Sequence, residues 1–300
     1  MLLESLDNRW FSWTIFSLDI YINAKKLLSI KADSPNFWEY PMKKVASLRY
    51  GVIFKKAFSQ PDIFKAFVKD FIGIELQINQ VEMEKEFSPV IGKVDTRFDL
   101  FAEDIDNRVI VDIQHVRYGD HYDRFLHYHC VALLEQIASS ENYRPNFKVF
   151  TIVVLISGDR HKIDIATTDF DPKDRKGKSL NEIPHKILYV CPKYVTDDTP
   201  EPYREWLLAI ADSLDEEVDE KAYQRKEIRQ IFDLIAQDLV SPQERFKMKD
   251  EYGIEQIQQD KFEQGQQIKA LEIARNLLAK GIDPATVAET TGISVDDLAL

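Results

Sequence analysis

The chain is poor in cysteine: Cys130 and Cys191 are the two in 300 residues, and they lie far apart in sequence. That excludes a disulfide framework and suits a reducing, cytoplasmic setting. A long apolar run is also missing. The stretch WFSWTIFSLDIYI is interrupted by Asp19 and falls short of the roughly 18 residues that suggest a membrane span, so no membrane partner is expected. The earliest charges, Glu4 and Asp7, are acidic where a secretory leader carries basic ones. An excess of positive charge is absent as well. The net charge is −12, and its distribution is uneven: residues 1–195 carry 27 acidic and 27 basic side chains, residues 196–300 carry 24 and 12. The second part is therefore a poor candidate for a strong phosphate-binding surface, whereas the balanced first part is not excluded. There is no internal repeat and no low-complexity segment.

What is present divides into three stretches. Residues 1–41 differ from the rest and end in KADSPNFWEYP just before Met42. They read as an N-terminal extension, with Met42 as an alternative start. Residues 42–195 mix helical and strand-like patterns. YGVIFKKAF places Ile53, Phe54, Ala57 and Phe58 on one helix face, and Pro61 to Gly73 frames a second helix. QVEMEKEF, RFDLFAE and RVIVDIQ alternate like strands, YDRFLHYHCVALLEQIASS reads as a helix, and FKVFTIVVLIS is a strand buried on both faces. HKIDIATT and KILYVCP complete the strand-like set. Residues 196–300 read as an acidic, all-helical region without strands. Its end, GIDPATVAETTGISVDDLAL, has the form of a helix-turn-helix: Pro284 opens a helix, Gly292 bends the chain, and Ser294 with Asp297 makes a capping box. Acidic residues in SVDDL argue against a recognition helix and favour packing or homo-oligomer formation.

The stretch VDTRFDLFAEDIDNRVIVDIQ raises a chemical question. Two apolar strands each carry a carboxylate, Asp99 and Asp112, around an acidic turn. With a loop of residues 104–107, Glu103 pairs with Arg108 and Asp99 lies opposite Asp112, Cβ atoms roughly 4.5–5.5 Å apart. A two-residue loop would set Asp99 opposite Gln114 on the same face, and only an odd-length loop would part them. Opposed like charges repel. Water and salt offset that on an exposed face. In a cleft a divalent cation does so, and two carboxylates offer the hard oxygens that suit Mg²⁺.

The order helix, strand with Asp, hairpin, strand with Asp-Ile-Gln, helix resembles the PD-(D/E)XK nuclease core. More narrowly, FKKAF (54–58), RFDLFAEDIDNRVIVDIQ (97–114), the helix with Arg124 and Tyr128, EWL (205–207) and EIARNLLAKGIDPATVAETTGIS (272–294) resemble the bacterial recombination-promoting, transposase-like nuclease family. The resemblance implies an α/β fold, a mixed sheet flanked by helices, followed by an all-α C-terminal region. It implies a Mg²⁺-dependent (or Mn²⁺-dependent) DNA endonuclease linked to recombination or mobile elements. In that reading Asp99 and Asp112 hold the metal, and Gln114, where such enzymes often place lysine, orients the attacking water. One departure stands against full activity. Gly51 occupies a position where the family usually carries an acid, leaving Glu82 or Glu84 to substitute. The alternative is a nuclease fold that has lost cutting and binds nucleic acid or a partner.

Candidate DNA contacts are Lys55, Lys93, Arg97, His115, Arg124 and Tyr128. Arg124 and Tyr128 are i, i+4 on one helix and can equally form a plain stacking pair. His121, His127 and His129 lack the spacing of a zinc site.

Overall fold

A computed structural model of the chain describes residues 42–87, 95–115, 119–136 and 145–294. Lys93, the extension 1–41, Ile137 at the end of the expected third helix, and Asp297 of the expected capping box lie outside the described residues. Two compact units emerge, one ending at Arg245 and one running from Phe246 to Leu300.

The first unit opens with a two-residue strand β1 (Lys43–Lys44), then helices α1 (Gly51–Phe58) and α2 (Pro61–Ile72). Both expected helix faces are buried: Ile53, Phe54, Ala57 and Phe58 on α1, and Ile63, Phe64, Phe67, Val68 and Phe71 on α2. Pro61 sits at the start of α2, where its missing N–H is harmless, and Asp62 in the first turn suits the helix dipole. Gly73 closes the helix at φ 80°, with its N–H donating to Lys69 O at 2.9 Å.

Six strands follow in one mixed sheet: β2 (Glu82–Phe87), β3 (Thr96–Glu103), β4 (Asn107–Gln114), β5 (Lys148–Leu155), β6 (Ile165–Asp169) and β7 (Lys186–Val190), in the order β2-β3-β4-β5-β7-β6. β4, β5 and β7 are parallel neighbours, and the outer pairings are antiparallel. Between β4 and β5 runs α3 (His121–Leu134), whose Phe125 packs with Val153, Leu155, Ile187 and Tyr189. β5 is buried at every residue after Lys148, as its unbroken apolar run requires.

The β3–β4 hairpin adopts the register expected from the four-residue loop, with Glu103 opposite Arg108 and Leu100 opposite Val111. Asp104 fixes the turn: its Oδ1 accepts from the N–H groups of Asp106 and Asn107 at 2.9 and 2.7 Å. Arg108, 4 % exposed, ties the hairpin to the end of α3. It donates to Glu103 at 2.6 Å, to Ala132 O at 2.7 Å and to Glu135 at 2.9 Å.

The boundary expected at 195/196 falls inside this unit. Helices α4 (Tyr203–Asp212) and α5 (Lys226–Leu234) belong to it. Trp206 of α4 meets Phe67 edge-on at 5.2 Å, Phe54 stacks on Phe58 at 4.2 Å, and the Trp206 Nε1–H donates to Asp70 at 2.7 Å. A short strand β8 (Glu217–Val218) pairs with β1, so this part is not free of strands. The composition shift after residue 195 reflects a change from strands to helices, not a change of core. Aromatic faces on α1, α2 and α4 must be buried against one another, and each buried Phe is worth roughly 2–3 kcal/mol.

The second unit contains the rest of α6 (Pro242–Ala279) and α7 (Pro284–Thr291). Asp283 caps α7, accepting from the Thr286 N–H at 3.0 Å, and Gly292 ends it at φ 71°. The expected Pro284 start and Gly292 bend are both present. No helix among the described residues is long and apolar enough to cross a membrane.

Candidate active site

The carboxylates sit where β3 and β4 part. Regular pairing runs from Glu103/Arg108 to Leu100/Val111 and stops one step short of Asp99 and Asp112. From there the side chains take over the backbone donors. The Asp99 N–H donates to Asp112 Oδ1 at 3.1 Å, and the Ile113 N–H donates to Asp99 Oδ2 at 3.0 Å. Each aspartate thus holds the other strand, which fixes both carboxylates at one opening of the sheet.

A cleft of about 250 Å³ forms there, lined by Lys55, Glu84, Arg97, Asp99, Asp112, Ile113, Gln114, Arg124, Phe125 and Tyr128. Five elements contribute, β3 and β4 through the residues above. α1 supplies Lys55, whose Nζ reaches Glu84 Oε1 at 2.7 Å and Asp99 Oδ1 at 3.4 Å. β2 supplies Glu84, which also pairs with Arg97 of β3. Regular β2–β3 pairing skips the step between Met83/Leu100 and Lys85/Phe98, and there Glu84 takes a left-handed φ of 56°. Such a conformation costs on the order of 1 kcal/mol outside glycine. It is offset here by the two cations that Glu84 meets. α3 supplies Arg124 and Tyr128; the guanidinium stands 5.4 Å from the ring centroid. The stacking pair is formed, and both residues also line the cleft.

Asp112 carries the electrostatic tension of the site. It is 5 % exposed. Burial and the neighbouring Asp99 carboxylate push its pKa well above the usual carboxylate range, against the smaller pull of the Asp99 N–H, Arg124 and Lys55. Its Oδ2 is buried and has no hydrogen-bond partner among the described residues. A buried carboxylate oxygen without a partner is costly, and a bound cation is one remedy. The donor set fits a small hard dication of the Mg²⁺ type. Among the described residues no three His, Cys, Asp or Glu side chains converge into a full cage, and Mg²⁺ commonly keeps several waters and takes one or two carboxylates.

The candidate residues divide clearly. Asp99, Asp112, Gln114, Lys55, Arg97, Arg124 and Tyr128 come together in one cleft. His115 does not line it; it lies half-buried just past β4, and its carbonyl accepts from the Ser157 hydroxyl. Gly51 starts α1 and is likewise not a lining residue. Lys55, a candidate DNA contact from the sequence, is engaged with two carboxylates. The sequence showed the alternation that aims Glu84 but not its left-handed backbone, and it held no signal for the Lys55–Asp99 contact, which spans 44 residues. His121 pairs with Asp159 at 3.0 Å, and His129, fully buried, contacts the Thr151 hydroxyl at 2.9 Å.

Residues 267–300 match the family model described as Rpn/YhgA-like nuclease family, C-terminal HTH domain. The match bears out the family resemblance at the C-terminal end, including the helix-turn-helix form. No curated protein and no solved structure matches the chain.

Proposed function

We propose, from that match and the cleft together, that the protein is a metal-dependent nuclease that hydrolyses phosphodiester bonds in DNA, within a recombination-linked family. The observation that carries this reading is the pairing of Asp99 with Asp112 at the mouth of the parted strands, with one buried Asp112 oxygen left unpartnered. Asp99 and Asp112 would hold Mg²⁺ or Mn²⁺. When bound there, such an ion lowers the pKa of a water and polarises a phosphoryl oxygen.

The remaining residues act on the substrate directly. Gln114, two residues after Asp112 on β4, offers an amide that accepts from the attacking water and donates to a phosphate oxygen. Lys55 and Arg124 bring positive charge to the same cleft, where it favours a phosphate whose charge grows in the transition state. Tyr128 holds the Arg124 fork in place. The C-terminal segment matches a helix-turn-helix domain, a form that can hold DNA, although its acidic SVDDL end makes it a weak reader of bases.

A second reading, binding without cutting, is favoured by two observations. Gly51 supplies no acid from α1, and the Lys55 ammonium already engages Asp99 and Glu84. Supercoiled plasmid separates the two. Under the nuclease reading, the protein nicks it with Mg²⁺ or Mn²⁺ but not with chelator, and Asp99→Ala and Asp112→Ala each lower the rate at least 100-fold. A metal-independent gel shift with no nicking by the wild type would leave the binding reading in its place.

A further inference from the structure

Between β6 and β7 the chain makes a turn that the cleft does not use. Within six residues it carries Lys173, Arg175, Lys176 and Lys178, all exposed. Among the described residues, none of the four lies within ion-pair distance of a carboxylate. By contrast, Lys43, Lys55, Lys56, Lys85, Arg97, Arg108 and Arg225 are all paired.

The acids of this segment are spent on its own backbone. Asp174 Oδ1 accepts from the N–H groups of Lys176 and Lys178 at 2.7 and 3.0 Å, and the Gly177 N–H closes onto Asp174 O at 2.9 Å. Gly177 sits at φ 83°, a left-handed position that suits glycine. At the stem, Asp171 accepts from the N–H groups of Asn181, Glu182 and Ile183 at 2.8, 2.7 and 3.0 Å, and from the Ser179 hydroxyl. Two carboxylates thus act as internal braces that hold four cations outward on a preformed turn. Ordering such a turn at binding costs little, because its shape is already set.

The geometry points to a phosphate-backbone grip, in which this basic turn contacts double-stranded DNA away from the cleft. This inference rests on the nuclease reading. The turn joins the end of β6 to the start of β7, whose parallel partners β5 and β4 begin at the same end of the sheet. Lys186 at the stem is level with Phe150 and Val109, and Asp112 lies three residues further along β4, so stem and carboxylates are separated by roughly 14 Å at about 3.3 Å per residue and 4.8 Å per strand, with the basic tip beyond the stem. One duplex turn spans about 34 Å, so a single duplex can reach both. The tip carries no large apolar side chain; Leu180 and Ile183 are on the stem. That favours a nucleic-acid backbone over a lipid surface, which calls for an apolar face as well as charge.

The test is binding of the full-length protein to a 30-base-pair duplex by fluorescence anisotropy, without metal, across a salt series. The variant is K173Q/R175Q/K176Q/K178Q, with K226Q/R229Q as the charge-removal control. A phosphate contact contributes about one unit to the log–log salt slope. The expected result is a slope smaller by about three to four units and affinity reduced at least tenfold, with the control close to wild type. Unchanged slope and affinity in the quadruple variant overturn the inference while leaving the nuclease reading intact. Binding to anionic vesicles, and not to duplex, that the quadruple variant loses overturns it in favour of a lipid partner. Absence of duplex binding by the wild type overturns both.

Discussion

The two units differ in how they use apolar residues. In the first, Phe54, Phe58, Phe67 and Trp206 are fully buried and in ring contact with one another. In the second, α6 leaves Ile257, Phe262 and Ile268 more than half exposed. Its apolar side chains are spread around the helix with no single stripe for a core to cover. A compact unit needs faces that agree. The first has them on five helices and six strands, and the second is a long helix with a short helix-turn-helix end. Stability and the candidate chemistry should therefore concentrate in the first.

Trp206→Ala is expected to break the first unit most severely, costing about 3–5 kcal/mol in urea unfolding followed by circular dichroism. It removes the ring between α2 and α4 and the donor to Asp70. Ile268→Ala should change the same measurement by no more than about 0.5 kcal/mol. A loss above about 1 kcal/mol there would show that α6 is covered in solution.

A smaller effect sharpens the contrast at the cleft. Asp112 has a raised pKa in the folded chain, so folding is opposed once pH rises above its ordinary value and the buried carboxylate must ionise. Asp112→Asn removes that burden and keeps an acceptor for the Asp99 N–H. Metal-free protein at pH 7.5 should then melt roughly 2–4 °C higher, the shift that about 1 kcal/mol produces in a domain of this size. Mg²⁺ should raise the wild-type melting temperature and leave the variant unmoved. A lower melting temperature for the variant would mean that Asp112 is satisfied without a cation.

A further effect concerns acid. Burial, helped by the charge of His185, pushes the pKa of His129 down to about 3. The unfolded chain binds this proton near pH 6.5 and the folded chain does not, so stability falls as pH drops from about 6.5 toward 3. The limit is about 1.4 kcal/mol per pH unit for one histidine. His129→Gln should flatten the melting temperature against pH over that window, and an unchanged slope would assign the loss to other groups.

Much of the site was legible because alternation and register are local. Counting across an even loop was enough to keep Asp99 on the face of Asp112 and Gln114, and the hairpin adopts the four-residue register from Glu103 and Arg108 to Leu100 and Val111. The helix faces of α1 and α2 followed from spacing alone, as did the Pro284 start and Gly292 stop. The division at residue 195 did not hold, because composition records the kind of element and not which core it joins. His115 was drawn toward the cleft by its neighbour Gln114, yet it lies past the end of β4 and outside the cleft lining.

The sequence by itself determined the elements and the presence of two acidic side chains on one face of neighbouring strands, since these depend on residues near one another in the chain. Only the tertiary structure decided what surrounds those acids. Lys55 arrives from α1, Glu84 from β2, and Arg124 with Tyr128 from α3. Where β3 and β4 part, an Asp112 oxygen has no hydrogen-bond partner among the described residues. Burial and neighbouring charge are properties of a packed surface, and they set whether a carboxylate waits for a proton or for a cation.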